Sequence, residues 1–317
     1  MEKKRDDPLI GRIYESSLKR EISYQELLHK IETADVVYLG ENHDNADHHG
    51  IQLRILRGLL RAGKRPQIGF ELFSSDQTGY LMAFARTKPK KETDKHLRLR
   101  ERSLRQKLNW TGQNDQFWSY YFRLIALARE KGLNIFGTDL PKGITKRIVG
   151  WGIESLTPVE KDWIRSTGFD DPVYKKMMLA KFADSHCGFS SPKMAERMYR
   201  TWIARNDAMA RAIVSMISDE GRPIVMIVGG GHTQHDMGLF ERVAHLAPKA
   251  VQINVGLQEI ALSPLKLQDY LDPVKVGDRT FPPSHAYLWF TRRNSYEDPC
   301  EKFKEHLKRM KRKPHTP

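Results

Sequence analysis

The stretch VVYLGENHDNADHHG, residues 36–50, decides the fold. An unbroken apolar run, Val36–Gly40, turns at once into the polar run Glu41-Asn42-His43-Asp44. Residues 223–236, PIVMIVGGGHTQHD, repeat the form: an apolar run, a glycine turn, then His232. Both read G-x-x-H directly after a β-like segment. Continuous rather than alternating hydrophobicity suits strands covered on both faces, as in a parallel sheet. Ile68–Phe73 and Leu133–Thr138 share this character, and Ala250–Val255 and Ala286–Phe290 are further strand candidates. Between them lie helical patterns. Asp47–Arg61 carries Ile51, Ile55, Leu59 and Leu60, and Gln113–Lys131 carries Phe117, Tyr121, Leu124, Ile125 and Ala128. This alternation predicts an α/β fold with a central, mostly parallel sheet flanked by helices.

Two segments interrupt it, about 76–111 and 150–220. Both read as helical insertions forming a cap or one side of a cleft. In the second, Thr157, Pro158 and Glu160 stand as N-cap, first helical residue and capping-box partner. No linker composition surrounds either insertion, so residues 8–300 are expected to form one α/β domain, followed by a basic C-terminal tail, 301–317.

The 317 residues are 39% hydrophobic and 29% charged, with a formal net charge of +14. That is a globular composition with a strongly basic surface. Residues 88–107 hold nine Lys/Arg against three acids, and 302–313 hold seven against one. Phe303, Leu307 and Met310 fall on one side of a helix, so the tail suits an anionic membrane surface. No helix-turn-helix or aromatic RNA motif accompanies the charge, so nucleic acid is not the expected partner. Cys187 and Cys300 fit neither a disulfide framework nor a C-x-x-C metal pattern; a bridge between them is open but not implied. The N-terminus has no apolar signal core, and no window approaches 18 apolar residues. As written, the chain is expected to be cytoplasmic; export or membrane-peripheral attachment is the alternative if a leader has been removed.

Chemistry-bearing residues gather at the strand ends. The first strand delivers Glu41, His43 and Asp44, the second Glu71, the third Asp139, and the fourth His232 followed by His235 and Asp236. In an open parallel sheet these ends share one edge, where ligands bind. Glu71 is the sharpest case. It sits inside the apolar run IGFELF, where a carboxylate must be neutral, paired with a cation, or bound to a metal. A partner is available on the helix of 192–219, where Arg205 falls on the apolar stripe of Met198, Trp202, Met209, Ile213 and Met216. The glycines let the chain turn off each strand, and imidazoles there suit metal ligation or general base catalysis. His48, at a helix start, and His186 beside Cys187 are weaker candidates as ligands of metal or haem. No G-x-S-x-G elbow, P-loop or C-x-x-C-H occurs.

Taken together, DVVYLGENHDNADHH, IGFELFSSDQ, HCG, ARNDAMA, IVGGGHTQHDMG and the late YLWFTRR…EDPC resemble the ChaN-like haem-binding uptake family, within the wider Tiki/TraB/erythromycin-esterase-like superfamily. The resemblance spans roughly 8–300. It implies a central sheet flanked by helices, haem as cofactor, a role in iron acquisition, and a homodimer with haems between subunits. Glu41, Asp44, His48, His186 and His235 are the candidate cofactor contacts. Relatives on the hydrolase branches use paired G-x-x-H motifs and a glutamate with a divalent metal, which map here to His43, His232 and Glu71. Arg205 sits in a run resembling the family's R-D-x-x-M-A, although here Asn206 follows it and Asp207 comes next. The alternative to haem binding is therefore a metal- or His/Glu-dependent hydrolase, an esterase or peptidase, with His43, Glu71, His232 and Arg205 catalytic.

Overall fold

The structure, a computed structural model, describes residues 6–87, 93–164, 166–185, 187–188, 191–217, 221–298 and 300–301. His186 and the basic tail beyond Glu301 lie outside the described residues.

The chain begins with the hairpin β1 (Ile13–Glu15) and β2 (Arg20–Ile22), then α1 (Tyr24–Glu32), β3 (Val36–Glu41), α2 (Ala46–Arg61) and β4 (Gln67–Ser74). Next come α3 (Thr78–Arg86), α4 (Asp94–Lys107), α5 (Asp115–Lys131) and β5 (Ile135–Asp139). The second helical run holds α6 (Lys142–Trp151), α7 (Pro158–Ile164), α8 (Pro172–Ser185) and α9 (Pro192–Ile217). After it come β6 (Ile224–Gly229), α10 (Leu239–Leu246), β7 (Gln252–Glu259), α11 (Leu267–Leu271), β8 (Val274–Val276), β9 (Arg279–Phe281) and β10 (Tyr287–Thr291). Turn chemistry sets many of these bounds. Asn45 caps α2 through the backbone N–H groups of Asp47 and His48, and Asn114 caps α5 through that of Phe117. The capping box expected at α7 is present, with Thr157 and Glu160 each accepting the other's backbone N–H.

Eight strands form one sheet in the order β2-β1-β10-β7-β3-β6-β4-β5. From β10 to β5 every neighbour is parallel, whereas β1 pairs antiparallel with both β10 and β2 at the edge. The strands read as continuous apolar runs because both faces are covered. Val37, Leu39, Phe70, Val225 and Ile227 pack under the helices of the first half, among them Ile55 and Leu59 of α2 and Leu124 and Ile125 of α5. Val36, Tyr38, Met226 and Val228, the alternate positions, pack against Met209 and Ile213 of α9 and Leu239 and Val243 of α10. Each such side chain contributes about 1.5–3 kcal/mol by leaving water.

The order of the strands creates the crevice. From β3 the chain moves outward to β4 and β5, returns to insert β6 between β3 and β4, and then builds β7 and β10 on the other side of β3. The direction of winding thus reverses beside β3 and β6, and the gap opens at their carboxyl ends. There lie the two G-x-x-H turns. Cys187, beyond α8, and Cys300, beyond β10, are disulfide-bonded with Cα atoms 5.5 Å apart. The bridge closes a sequence separation of 113 residues and ties the helical insertion to the segment leaving the sheet. Among the described residues no helix is long and apolar enough to cross a membrane.

Candidate functional site

Strand alternation explains how Glu71 meets its partner. Phe70 faces α2 and α5, so Glu71, the next residue, faces α9. From that helix Arg205 Nη2 donates to Glu71 Oε1 at 2.7 Å. The same guanidinium grips the strand-end carboxylate of Asp139, with Nε to Oδ1 at 2.9 Å and Nη2 to Oδ2 at 2.9 Å. The other oxygen of Glu71 accepts the Gly229 backbone N–H at 2.5 Å. Burial alone would raise the Glu71 carboxyl, but the charges of His232, His43 and Arg205 hold it well below the usual range. Of the three settings open from sequence, the geometry shows the one paired with a cation, Arg205.

The two histidines differ. His43 keeps 36% of its side chain exposed, whereas His232 keeps 3%. Beneath His43, the buried Glu41 accepts from His43 Nδ1 at 2.9 Å, from Tyr121 Oη at 2.5 Å and from Gln52 Nε2 at 2.5 Å. His49 closes this platform by hydrogen-bonding the His43 carbonyl at 2.9 Å. With Nδ1 committed to Glu41, His43 turns Nε2 toward Gly229 and Glu71, whose Oε2 is 3.8 Å away. A Cβ on Gly229 would stand 3.1 Å from that nitrogen, so glycine leaves the space beside it open. Burial pulls His43 down, but the hydrogen bond to Glu41 and the charges of Glu71 and Glu41 outweigh it and raise its pKa to about 9. His232 lies flat against Trp202, ring centroids 3.8 Å apart, with Nδ1 on Asn206 Oδ1 at 2.7 Å and Nε2 at 3.2 Å from Glu71 Oε1. Burial keeps it below its ordinary value against the pull of Glu71.

Both G-x-x-H turns, Glu71 and Arg205 thus line one crevice of about 770 Å³, together with Asp44, Phe117, Trp202, Leu257 and Glu259. That is within the size range of small-molecule and cofactor sites. Other sequence candidates lie elsewhere. His48 is buried, with Nδ1 accepting the Asn42 backbone N–H and Nε2 on Thr291 Oγ1 at 2.9 Å, so it braces the strand ends. His235 is held by the Pro282 carbonyl at 2.8 Å and does not line the crevice. Asp207 turns away from Arg205 and pairs with the fully buried Arg242 at 2.7 Å, while Asn206 serves His232. The R-N-D order therefore places an amide at the site and an acid in the frame. The three residues of the expected divalent-metal set, His43, Glu71 and His232, do line the same crevice. Among the described residues no group of three or more His, Cys, Asp or Glu side chains is arranged to hold a metal ion. Arg205 supplies positive charge beside Glu71, and the Gly229 backbone N–H engages that carboxylate's other oxygen.

Three site residues escaped the sequence reading. Gln52 is a polar residue on the inward stripe of α2, a signal that could have found it. Tyr121 looked like core, and its hydroxyl is what reaches Glu41. His285 lines the crevice floor, where three glycines make room for it; a Cβ on Gly256 would lie 2.5 Å from its Nδ1. Burial takes its pKa down to about 3.

Comparison with solved structures finds ChaN of Campylobacter jejuni, described by its cofacial heme binding, at a TM-score of 0.61 and 16% identity, covering 87% of this chain and 95% of that one. That likeness shows the fold. Two further structures are more distant: the type III effector HopBA1 at 0.43 and 13%, covering 84% of this chain and 92% of that one, and a mutant of the erythromycin esterase EreC at 0.43 and 13%, covering 81% and 79%. No curated protein matches. The family model described as "Haem-binding uptake, Tiki superfamily, ChaN" matches residues 27–243, more than half of the chain, and this chain therefore belongs to that family.

Proposed function

We propose that this chain binds haem in the strand-end crevice and serves haem or iron uptake or handling. Family membership supports the ligand class. The observation that carries the reading to a residue is His43, a part-exposed imidazole whose Nδ1 is anchored by a buried carboxylate. Histidines that ligate metal usually donate their other ring N–H in this way, which fixes the ring and raises its basicity. Phe117, Trp202 and Leu257 offer apolar wall for a porphyrin. Haem would supply an iron for His43 Nε2, with the proton that nitrogen carries in the free protein leaving as it binds. Haem titration followed by Soret absorbance tests this, with saturation and iron found in the desalted protein as the expected result. The disulfide supports an oxidising compartment, hence the exported alternative for location.

A second reading, hydrolysis of an ester or peptide, is favoured by one observation: an ionised Glu71 between two histidines and an arginine. The geometry serves it less well. Among the described residues the crevice lining contains no Ser, Thr or Cys nucleophile, and both ring nitrogens of His232 are already engaged. His43, protonated near neutral pH, would act as acid rather than base. Turnover of an ester or peptide panel that disappears in Glu71→Gln and His43→Ala, with folding intact, would establish the hydrolase and displace the haem reading.

A further inference from the structure

At the sheet edge opposite the crevice, the turns leading into β4 and β5 enclose a groove of about 740 Å³. Its walls carry Arg57 and Arg61 from α2, with Lys64 and Arg65 from the turn that follows. Leu60 and Leu127 line it between these cations. Arg57 and Arg61 are spaced i, i+4 on the exposed side of α2, and neither they nor Lys64 forms an ion pair within the described residues. Arg65 donates to the carbonyls of Lys131 and Gly132 at the end of α5, and the one acid of the groove, Glu130, pairs with Lys131 at 2.8 Å. Cations in the last turn of a helix do offset its dipole, as Arg61 and Lys131 do here. That role does not require Arg57 and Lys64, nor four cations converging on one concave surface.

We infer that this groove docks the protein on an anionic phospholipid surface. The charge is complementary to lipid phosphates, and basic side chains grouped at one surface add their attractions to such a membrane. The apolar floor is small, as suits interfacial contact rather than insertion. Among the described residues no aromatic side chain lines the groove, so none there offers the stacking platform with which single-stranded nucleic acid is held. Docking this way has a consequence for orientation. The groove lies where β4 and β5 begin, whereas the crevice lies at the carboxyl ends of the same parallel sheet. The crevice mouth then faces away from the membrane.

The test is co-sedimentation of the full chain with vesicles of phosphatidylglycerol and phosphatidylcholine, against vesicles of phosphatidylcholine alone. The chain is expected to pellet with the first and not the second, with binding weakened by added salt. Arg57→Glu/Arg61→Glu/Lys64→Glu is expected to reduce binding at least about tenfold while the chain keeps its folded circular-dichroism spectrum. If that variant unfolds, the corresponding Gln substitutions carry the same expectation. A tail variant, Lys308→Gln/Arg309→Gln/Lys311→Gln/Arg312→Gln, is expected to retain most of the binding. The inference is overturned if the groove variant binds as the parent does, if only the tail variant loses binding, or if no vesicle binds. It is equally overturned if the groove prefers a single-stranded RNA probe to the charged vesicles.

Discussion

At the scale of single residues, Arg205 neutralises two carboxylates at once, Glu71 and Asp139. Removing it leaves both carboxylates without that shared cation. Arg205→Ala is expected to cost about 3–5 kcal/mol in urea unfolding, since it strands charge in a buried setting. Glu71→Gln keeps its shape and leaves Arg205 its bond to Asp139, so a smaller loss of about 1.5–3 kcal/mol is expected. Equal losses would show that Glu71 is not the residue most dependent on Arg205. Acid sensitivity follows from burial. His48 and His285 are held neutral in the folded chain, their pKa values brought down to about 4 and about 3. An unfolded imidazole protonates near about 6.5. Below that pH the unfolded chain binds more protons than the folded one, so stability falls as pH falls, by up to about 1.4 kcal/mol per unit for each histidine. His43 acts in another window and with the opposite sign. Raised to about 9, it contributes fully below about 6.5 and loses that contribution as pH rises toward 9. Urea midpoints measured from pH 4.5 to 9 should therefore peak between, and His285→Gln should flatten the acid limb if it folds. A midpoint that keeps rising below about pH 6.5 would contradict the neutral His48 and His285, and one that does not fall between about pH 6.5 and 9 would contradict the raised His43.

At the scale of elements, the disulfide fastens the end of α8 to the chain beyond β10. Closing a loop of this length typically stabilises by about 2–4 kcal/mol, so reduction or Cys187→Ser/Cys300→Ser should lower the denaturation midpoint by that amount. No difference between oxidised and reduced protein would mean that the bridge constrains nothing. The six long strands and the helices α2, α5, α7 and α9 were legible in the sequence, because burial on two faces or on one stripe writes a periodic pattern. The short strands β1, β2, β8 and β9 were not, since three residues carry too little pattern to register. The irregular pairing of β4 with β5 was also hidden. Between Phe70 and Ser74 the register shifts, and Gly137 fits only because a Cβ there would stand 2.2 Å from the Ser74 carbonyl. Gly137→Ala is therefore expected to be among the more damaging single-methyl changes, readable as lost soluble yield or a lowered melting temperature.

At the scale of the whole molecule, the parallel sheet explains why so much of the site could be read in advance. Strand ends that share an edge bring His43, Glu71, Asp139 and His232 together whatever the details of the loops. What periodicity could not say is which way each side chain is held. That depends on contacts between distant segments: Tyr121 of α5 on Glu41, Asn206 of α9 on His232, and Arg242 of α10 drawing Asp207 away from the crevice. Arg205 adds an ion-pair network with Glu71 and Asp139 at the same edge. These contacts leave His43 as the more open of the two G-x-x-H imidazoles.

The most direct test of the account is a haem titration of the parent chain and of His43→Ala, followed in the Soret region with and without added imidazole. The account expects a saturable Soret shift in the parent, at least about tenfold weaker binding in the variant as its iron ligand is lost, and recovery of the parent spectrum when imidazole fills the vacated position. A parent chain without a Soret shift, or a variant that titrates identically to it, would contradict the claim that the Glu41-anchored His43 holds haem in this crevice.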